Sequence, residues 1–138
     1  MYRTIEHQAD IAVEIKAVDR AGLFCTALEA LVSLLTGNKE RVSLSDCSQV
    51  VISASGYDDE ECLVDLLNEL IFLCQVHKKF PVAIRDVHFD ADQEVSAKIF
   101  VLEASKERAM YREIKAATYH NLRIIKSPSW RTEIVFDV

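Results

Sequence analysis

The chain has 138 residues, half of them apolar, and a formal net charge of −6 at pH 7. This length and apolar content suffice for the core of one domain over residues 1–138, and no segment has the composition of a linker or a low-complexity tail. The acidic balance argues against a protein that holds nucleic acid through its phosphates, because such binding needs a basic surface.

Cysteine usage and hydropathy indicate the compartment. Cys25, Cys47, Cys62 and Cys74 form no C-x-x-C pair, and we interpret them as buried, reduced thiols of a cytosolic protein. The N-terminus carries no signal-peptide pattern, and the longest apolar run is too short to span a membrane. We therefore expect a cytoplasmic protein that does not enter a membrane.

The first third of the chain predicts two strands and a helix. Residues 2–6 and 11–16 are the strands, joined by the loop His7-Gln8-Ala9-Asp10. Asp19 is placed to cap a helix that runs to about residue 36, just before Gly37. One face of this helix is apolar and consists of Leu23, Phe24, Ala27, Leu28, Leu31, Leu34 and Leu35.

The middle of the chain predicts a strand at residues 49–55 and a second helix. Asp58 and Glu61 form a D-x-x-E pattern close to a capping box, so the helix should begin there and run to about residue 77. Apolar residues occupy most of its circumference, which predicts deep packing. They are Cys62, Leu63, Leu66, Leu67, Leu70, Ile71 and Cys74.

The rest of the chain predicts strands only. Their ranges are 82–89, 94–104, 114–119, 122–125 and 130–138, with turns at 90–93 and 127–129. Two early helices followed by strands predict an α+β domain, in which the two helices pack on a mostly antiparallel or mixed sheet.

Two pairs of ionisable residues are unusual for a purely structural chain. In His7-x-x-Asp10, the aspartate either satisfies backbone donors of the loop or belongs to a functional site. Asp65 and Glu69 share one face of the apolar second helix. They are either a narrow solvated stripe or two like charges that a cation compensates.

The last strand supplies a further candidate, because Asp137 and the α-carboxylate of Val138 are oxygen-rich groups that suit a hard cation. In the simpler interpretation Asp137 faces water. We expect Asp10 and Asp137 to lie close together, since each is a carboxylate at a strand end with apolar neighbours.

His120, as a lone histidine, fits a hydrogen-bonded structural role better than a ligand role. No phosphate-binding glycine motif or nucleophile elbow is present.

Four segments, spread from the first residues to the last, carry a family pattern. They are YRTIEHQADI at 2–11, LVDLLNEL at 63–70, IKAATYHNL at 114–122 and WRTEIVFDV at 130–138. On these segments the chain resembles the archease family over essentially its whole length. This chain has Gln8 where the family usually has Thr, and Ala12 and Asn121 where it usually has Gly. It has Leu66 where the family often has Trp. Asparagine tolerates the left-handed backbone that a turn glycine serves.

The resemblance implies a function. Archease-like proteins are not enzymes by themselves; they are cofactors of RtcB-type RNA ligases, which join tRNA halves and other broken RNAs. They speed the loading of GMP from GTP onto the ligase's histidine and let the ligase turn over repeatedly. Some members were proposed to act as chaperones of a tRNA methyltransferase. The implied partner is therefore an RtcB-type ligase, with a tRNA methyltransferase as the alternative and no strong direct contact with nucleic acid.

The resemblance also implies a site. The family's metal ligands match Asp10, Asp137 and the carboxylate of Val138. Carboxylate oxygens suit calcium, magnesium or manganese better than structural zinc. Lys115 matches a position linked to activation, and the motif positions without an assigned role are His7, Asp65 and His120.

Two other functions are compatible with the same residues. A metal-dependent phosphohydrolase would use Asp10, His7 and Asp137 around an open metal position. A passive chaperone or binding module for an RNA-modifying enzyme would not need the metal ligands at all.

Overall fold

The computed structural model describes residues 1–6, 10–38, 42–91 and 93–138, and for Ile5 and Glu6 it describes the backbone only. These ranges form seven strands, two α-helices and a short 3-10 turn at Leu44–Asp46. In chain order the elements are β1 (Tyr2–Glu6), β2 (Asp10–Ala17), α1 (Arg20–Thr36), β3 (Ser48–Ser55), α2 (Asp59–Gln75), β4 (Lys79–Ala91), β5 (Glu94–Glu103), β6 (Ala116–Thr118) and β7 (Trp130–Asp137).

The strands form two sheets. One has the strand order β1-β2-β7-β6 and the other β3-β5-β4, and all neighbouring strands are antiparallel. Helix α1 packs against β2 and β4, and α2 packs against β3 and β6, so each helix contacts both sheets. The predicted α+β class with two helices on antiparallel strands is confirmed. The division of the strands into two sheets was not predicted.

Helix α1 begins and ends at the predicted residues. The Asp19 carboxylate accepts a hydrogen bond of 2.7 Å from the Gly22 N–H. Gly37 has φ 71° and donates its N–H to the Ser33 carbonyl, which is a left-handed C-cap. All seven residues of the predicted apolar face are buried.

Helix α2 begins at the predicted cap and ends two residues early, at Gln75. The Asp58 carboxylate accepts from the Glu61 N–H at 2.8 Å, and the Glu61 carboxylate accepts from the Tyr57 N–H at 3.4 Å. Its seven predicted apolar residues are all buried.

Within the described ranges, neither helix combines the length and apolar content that crossing a membrane would require.

Three strand predictions need correction. Strand β4 is longer than predicted and includes Pro81, which an edge strand tolerates. The strand predicted at 114–119 is shorter in the structure, where β6 is Ala116–Thr118.

The prediction of a strand at 122–125 is wrong, since only Ile125 forms a bridge, to Arg131. The backbone N–H of Ile124 donates instead to the Glu60 carboxylate at 3.1 Å, so a side chain replaces a strand partner. Of the predicted turn at 90–93, Asp92 lies outside the described residues.

A buried ion pair joins the starts of the two helices. Asp59 is 6% exposed, and its Oδ1 accepts from Arg20 Nε at 3.0 Å and Nη2 at 2.8 Å. Lys126 Nζ lies 3.5 Å from the other carboxylate oxygen. The Arg20 guanidinium also lies 3.7 Å from the ring centroid of Phe89 on β4. This cluster ties α1, α2, the three-stranded sheet and the segment before β7 to one another.

We predict that Asp59→Asn lowers the free energy of unfolding by about 2 kcal/mol, because it removes the charge that compensates a partly buried guanidinium. Urea denaturation measures the change. Glu69→Gln is the matched control on the same helix: Glu69 is exposed, so its change should stay within about 0.5 kcal/mol. Equal effects of the two substitutions would show that the cluster does not stabilise the fold.

Candidate functional site

The pairing of β2 with β7 places Asp10 directly opposite Asp137. Paired residues of antiparallel strands have Cβ atoms about 4.5–5.5 Å apart and side chains on the same face. The structure therefore brings together the two carboxylates that the sequence predicted to be close. Like charges placed directly opposite each other destabilise a sheet, so this arrangement calls for a compensating cation or for solvent.

The strands fix this carboxylate pair while leaving it accessible. Asp10 is partly exposed and Asp137 exposed, and the next residue, Val138, is 38% exposed. The neighbouring register pair, Ile11 and Phe136, is 5% and 0% exposed and belongs to the hydrophobic core. Side chains alternate along a strand, so the buried pair anchors the backbone from the core side while the carboxylates point to the other face.

Strand β6 continues the same row. Ala116 is the register partner of Asp137, and the Lys115 N–H donates to the Asp137 carbonyl at 2.8 Å. The Lys115 side chain is exposed. The structure thus brings the backbone of Lys115 next to one residue of the carboxylate pair and leaves its ammonium group available to a partner.

Helix α2 holds β6 through amide side chains that the sequence analysis missed. Asn68 accepts from the Ala117 N–H at 2.8 Å and donates to the Ala117 carbonyl at 3.3 Å. Gln75 donates to the Ile114 carbonyl at 2.6 Å. These amides take the place of a neighbouring strand at the edge of the sheet. The available signal was a pair of amides seven residues apart on a largely apolar helix.

Asp65 and Glu69 have separate environments. Asp65 is partly buried, whereas Glu69 is exposed. Burial, followed by the negative charges of Asp65 and Glu61, raises the pKa of Tyr119 above its ordinary value. Asp65 therefore lies close enough to Tyr119 for its charge to act on the phenol, whereas Glu69 belongs to the solvated side of the helix.

The two histidine candidates have different outcomes. His120 is exposed, and its backbone N–H donates to the Thr118 hydroxyl at 3.3 Å. The adjacent Asn121 has φ 54°, so the expected left-handed turn at this position is confirmed. His7, like its neighbour Gln8, lies outside the described residues.

The donor chemistry of the carboxylate pair fits a hard cation. Asp10 and Asp137 would hold the ion through carboxylate oxygens, with the α-carboxylate of Val138 one residue away. Among the residues that the structure describes, no three His, Cys, Asp or Glu side chains form a metal-binding group. Among the described residues, Asp65 and His120 thus do not join the pair in a cluster of that kind.

A second polar cluster contains Ser96, His88 and Asp90. The Ser96 hydroxyl lies 3.1 Å from His88 Nε2, and an Asp90 carboxylate oxygen lies 3.1 Å from the same nitrogen. A catalytic triad needs the serine and the aspartate on opposite ring nitrogens. The other nitrogen, Nδ1, faces the Asp86 carbonyl at 2.9 Å. This cluster does not have the geometry of an activated nucleophile.

The cysteines are not activated either. All four are free, but only Cys62 and Cys74 are buried, whereas Cys25 and Cys47 are partly exposed, so the prediction of four buried thiols was too broad. Burial raises the pKa of Cys74 to about 12, and burial together with Glu29 raises that of Cys25 to about 11. These thiols stay protonated, and therefore poor nucleophiles, at neutral pH.

Comparison with known proteins identifies relatives. A family model described as "Archease protein family (MTH1598/TM1083)" matches residues 2–138. The solution structure of Methanobacterium thermoautotrophicum protein 1598 is 20% identical, with a TM-score of 0.73 over 99% of this chain and 98% of that one. A crystal structure from Thermotoga maritima, described as an archease and possible chaperone, is 25% identical, with a TM-score of 0.64 over 100% and 98%. Among curated proteins no significant match was found.

We predict that the carboxylate pair responds to a cation in opposite ways in the wild type and in its variants. In EDTA, Asp10→Asn and Asp137→Asn should be as stable as the wild type or up to about 0.5 kcal/mol more stable, because each removes like-charge repulsion. Calcium should raise the melting temperature of the wild type only. At about 100 times its dissociation constant, a ligand adds about 2.7 kcal/mol.

Thermal unfolding followed by circular dichroism tests this prediction, with magnesium and manganese in parallel. Asp46→Asn is the matched control, since Asp46 is an exposed aspartate in the 3-10 turn. It should keep the full response to the cation. If the wild type gains no stability from any of the three ions, the pair is not a cation site.

Proposed function

This chain belongs to the archease family, and from that premise we propose that it is a non-catalytic, metal-binding activator of an RtcB-type RNA ligase in tRNA splicing and RNA repair. In this role it promotes guanylylation of the ligase and its multiple turnover. The observation that carries the proposal is the facing pair Asp10 and Asp137, accessible at one end of the two central strands of the sheet.

The residues of the site have distinct roles in this proposal. Asp10, Asp137 and the Val138 carboxylate bind the cation, which would stabilise negative charge on the phosphates of the nucleotide in the ligase. Lys115, the residue just before β6, reaches the partner. Asn68 is a positioning residue, since it holds β6 in place through both of its amide atoms. The proposal assigns Asp65 to the support of the same site. The proposal assigns contact with the partner, or support of the site, to His7 and His120 as well.

Charge supports a protein partner in preference to RNA. The net charge of −6 favours association with a basic protein, since complementary potentials raise the rate of encounter and select the partner. In this proposal the protein works in the cytoplasm and acts by contact with the ligase, before RNA is bound.

A second candidate is a chaperone or modulator of a tRNA-modifying methyltransferase. The Thermotoga maritima relative is described as a possible chaperone. In this chain, two apolar side chains one turn apart are exposed at the end of α2: Phe72 at 50% and the C-cap residue Val76 at 55%. Exposed apolar residues on one helix face can hold an apolar segment of a client. This function predicts full activity of variants that lack the metal ligands.

We predict that Asp10→Ala and Asp137→Ala slow GMP loading onto the ligase by at least about tenfold, in a reaction without RNA. The loss of a metal-ligand oxygen should cost more free energy than the loss of a surface ion pair, which contributes only ~0–1 kcal/mol. The measurement is the rate at which radiolabelled GMP becomes attached to the ligase, with catalytic amounts of each variant. Asp46→Ala is the control and should match the wild type.

The possible outcomes separate the candidates. Wild-type rates for both variants, with the fold retained, would falsify the metal-positioning role. Unchanged GMP loading together with protection of a methyltransferase from aggregation would favour the chaperone. Nucleotide hydrolysis by the purified protein alone would point to the phosphohydrolase.

We also predict that a short peptide fused after Val138 impairs activation, because it converts the α-carboxylate beside Asp137 into a neutral amide and crowds the carboxylate pair. The same peptide fused before Met1 is the control. Guanylylation assays with the two fusions measure the difference, and full activity of the C-terminal fusion would remove the α-carboxylate from the site.

A further inference from the structure

We propose that the outer face of the four-stranded sheet carries a site for a phosphate-bearing ligand of nucleotide size. The site is a groove of about 580 Å³, which we call the basic groove. Four cations line it: Arg3 on β1, Lys16 on β2, Arg131 on β7, and Arg123 on the segment between β6 and β7. The inference does not rest on the proposed function.

The strand register explains why these cations converge. Lys16 is the cross-strand partner of Arg131, and the neighbouring row on the same face is formed by Arg3, Glu14 and Glu133. Residues in one such row have their side chains on the same side of a sheet. The bridge between Ile125 and Arg131 brings the segment that includes Arg123 alongside β7. Side chains far apart in sequence therefore face one concave space.

The groove has more positive charge than its own carboxylates compensate. Arg3 pairs with Glu14 at 2.8 Å. Lys16, Arg123 and Arg131 have no carboxylate at ion-pair distance among the described residues. Four cationic side chains and two carboxylates, Glu14 and Glu133, line the groove, so it has an excess of two positive charges in a chain with net charge −6. A cleft with a net excess of one sign of charge concentrates ions of the opposite sign.

The shape and chemistry of the groove favour a phosphate ester. A guanidinium presents a planar fork that matches phosphate oxygens, so Arg123 and Arg131 can each donate two hydrogen bonds. The volume lies within the range of small-molecule sites, and Tyr2 and Ile125 add apolar contact area. A nucleotide combines an anionic and a flat apolar part. The source is either a free nucleotide or the end of an RNA strand, which carries the same phosphate chemistry.

The basic groove is separate from the carboxylate pair, although both lie on one face of the sheet. Asp10, Glu14 and Lys16 alternate on β2 with core residues, so they share that face. At about 3.4 Å per residue, Glu14 lies about 14 Å and Lys16 about 20 Å from Asp10 along the strand. Substitutions in the groove thus leave the carboxylate pair intact, and the two sites can be tested independently.

Binding measurements with three probes test the site: GMP and inorganic pyrophosphate by calorimetry, and a short single-stranded RNA by fluorescence anisotropy. Arg123→Glu and Arg131→Glu should each weaken binding at least about tenfold, because each replaces charge-assisted hydrogen bonds by repulsion. Arg123→Lys should retain part of the affinity, since it keeps the charge and loses the fork. Lys106→Glu, the same charge change at an exposed lysine outside the groove, should stay within about twofold of the wild type.

The results decide the proposal and identify the source of the phosphate. Saturable binding of any probe that both glutamate variants weaken supports the site, and the tightest probe distinguishes a free nucleotide from an RNA end. Because Arg123 is exposed on a loop, its variants test the site even if Arg131→Glu fails to fold. The proposal is overturned if no probe binds below about 1 mM. It is also overturned if Lys106→Glu weakens binding as much as Arg123→Glu, since the attraction would then come from overall charge.

Discussion

The pairing of β2 with β7 is the constraint on which the rest of the molecule depends. Eight consecutive residue pairs run from Asp10 opposite Asp137 to Ala17 opposite Trp130. A shift of one residue would turn the core residues to the surface and separate the carboxylates, so core burial and site geometry are specified together. The burial of Ile11, Val13 and Ile15 in the core fixes the register. This register also determines that the two carboxylates lie opposite each other.

Much of the fold could be predicted because local signals agreed with the tertiary packing. Asp19 and Gly37 mark α1, and the apolar faces of both helices are buried as their spacing predicts. The segment at 122–125 has the same apolar pattern as a strand, yet the Glu60 carboxylate and the Thr132 hydroxyl bond its backbone. Glu60 is 64 residues from Ile124, and Thr132 is 9 residues from Arg123. The apolar periodicity of the segment therefore contains no information about these partners.

The site was predictable in part, for a similar reason. The sequence allowed Asp10 and Asp137 to be paired because each lies at one end of an apolar strand, and the strand register brings them together. Asn68 and Gln75 were missed, because their role depends on the edge of β6 lying against α2. The interpretation of Asp65 was open between solvent and a cation, and the structure shows it partly buried, with its charge raising the pKa of Tyr119. Which polar residue on a helix supports a distant strand is decided by tertiary contacts.

The charge distribution places opposite signs on one sheet face. The carboxylate pair lies at one end of β2, and Lys16 with Arg131 lies toward the other. Core packing does not require this arrangement, because the same strands bury their alternate residues. It also gains little from surface ion pairing, since Lys16 and Arg131 are direct neighbours of the same sign. Between these ends Arg3 and Glu14 attract each other at 2.8 Å, whereas the like-signed pairs at the two ends repel. The two proposed sites, a cation at the carboxylate pair and a phosphate at the basic groove, would each relieve the repulsion at one end of the face.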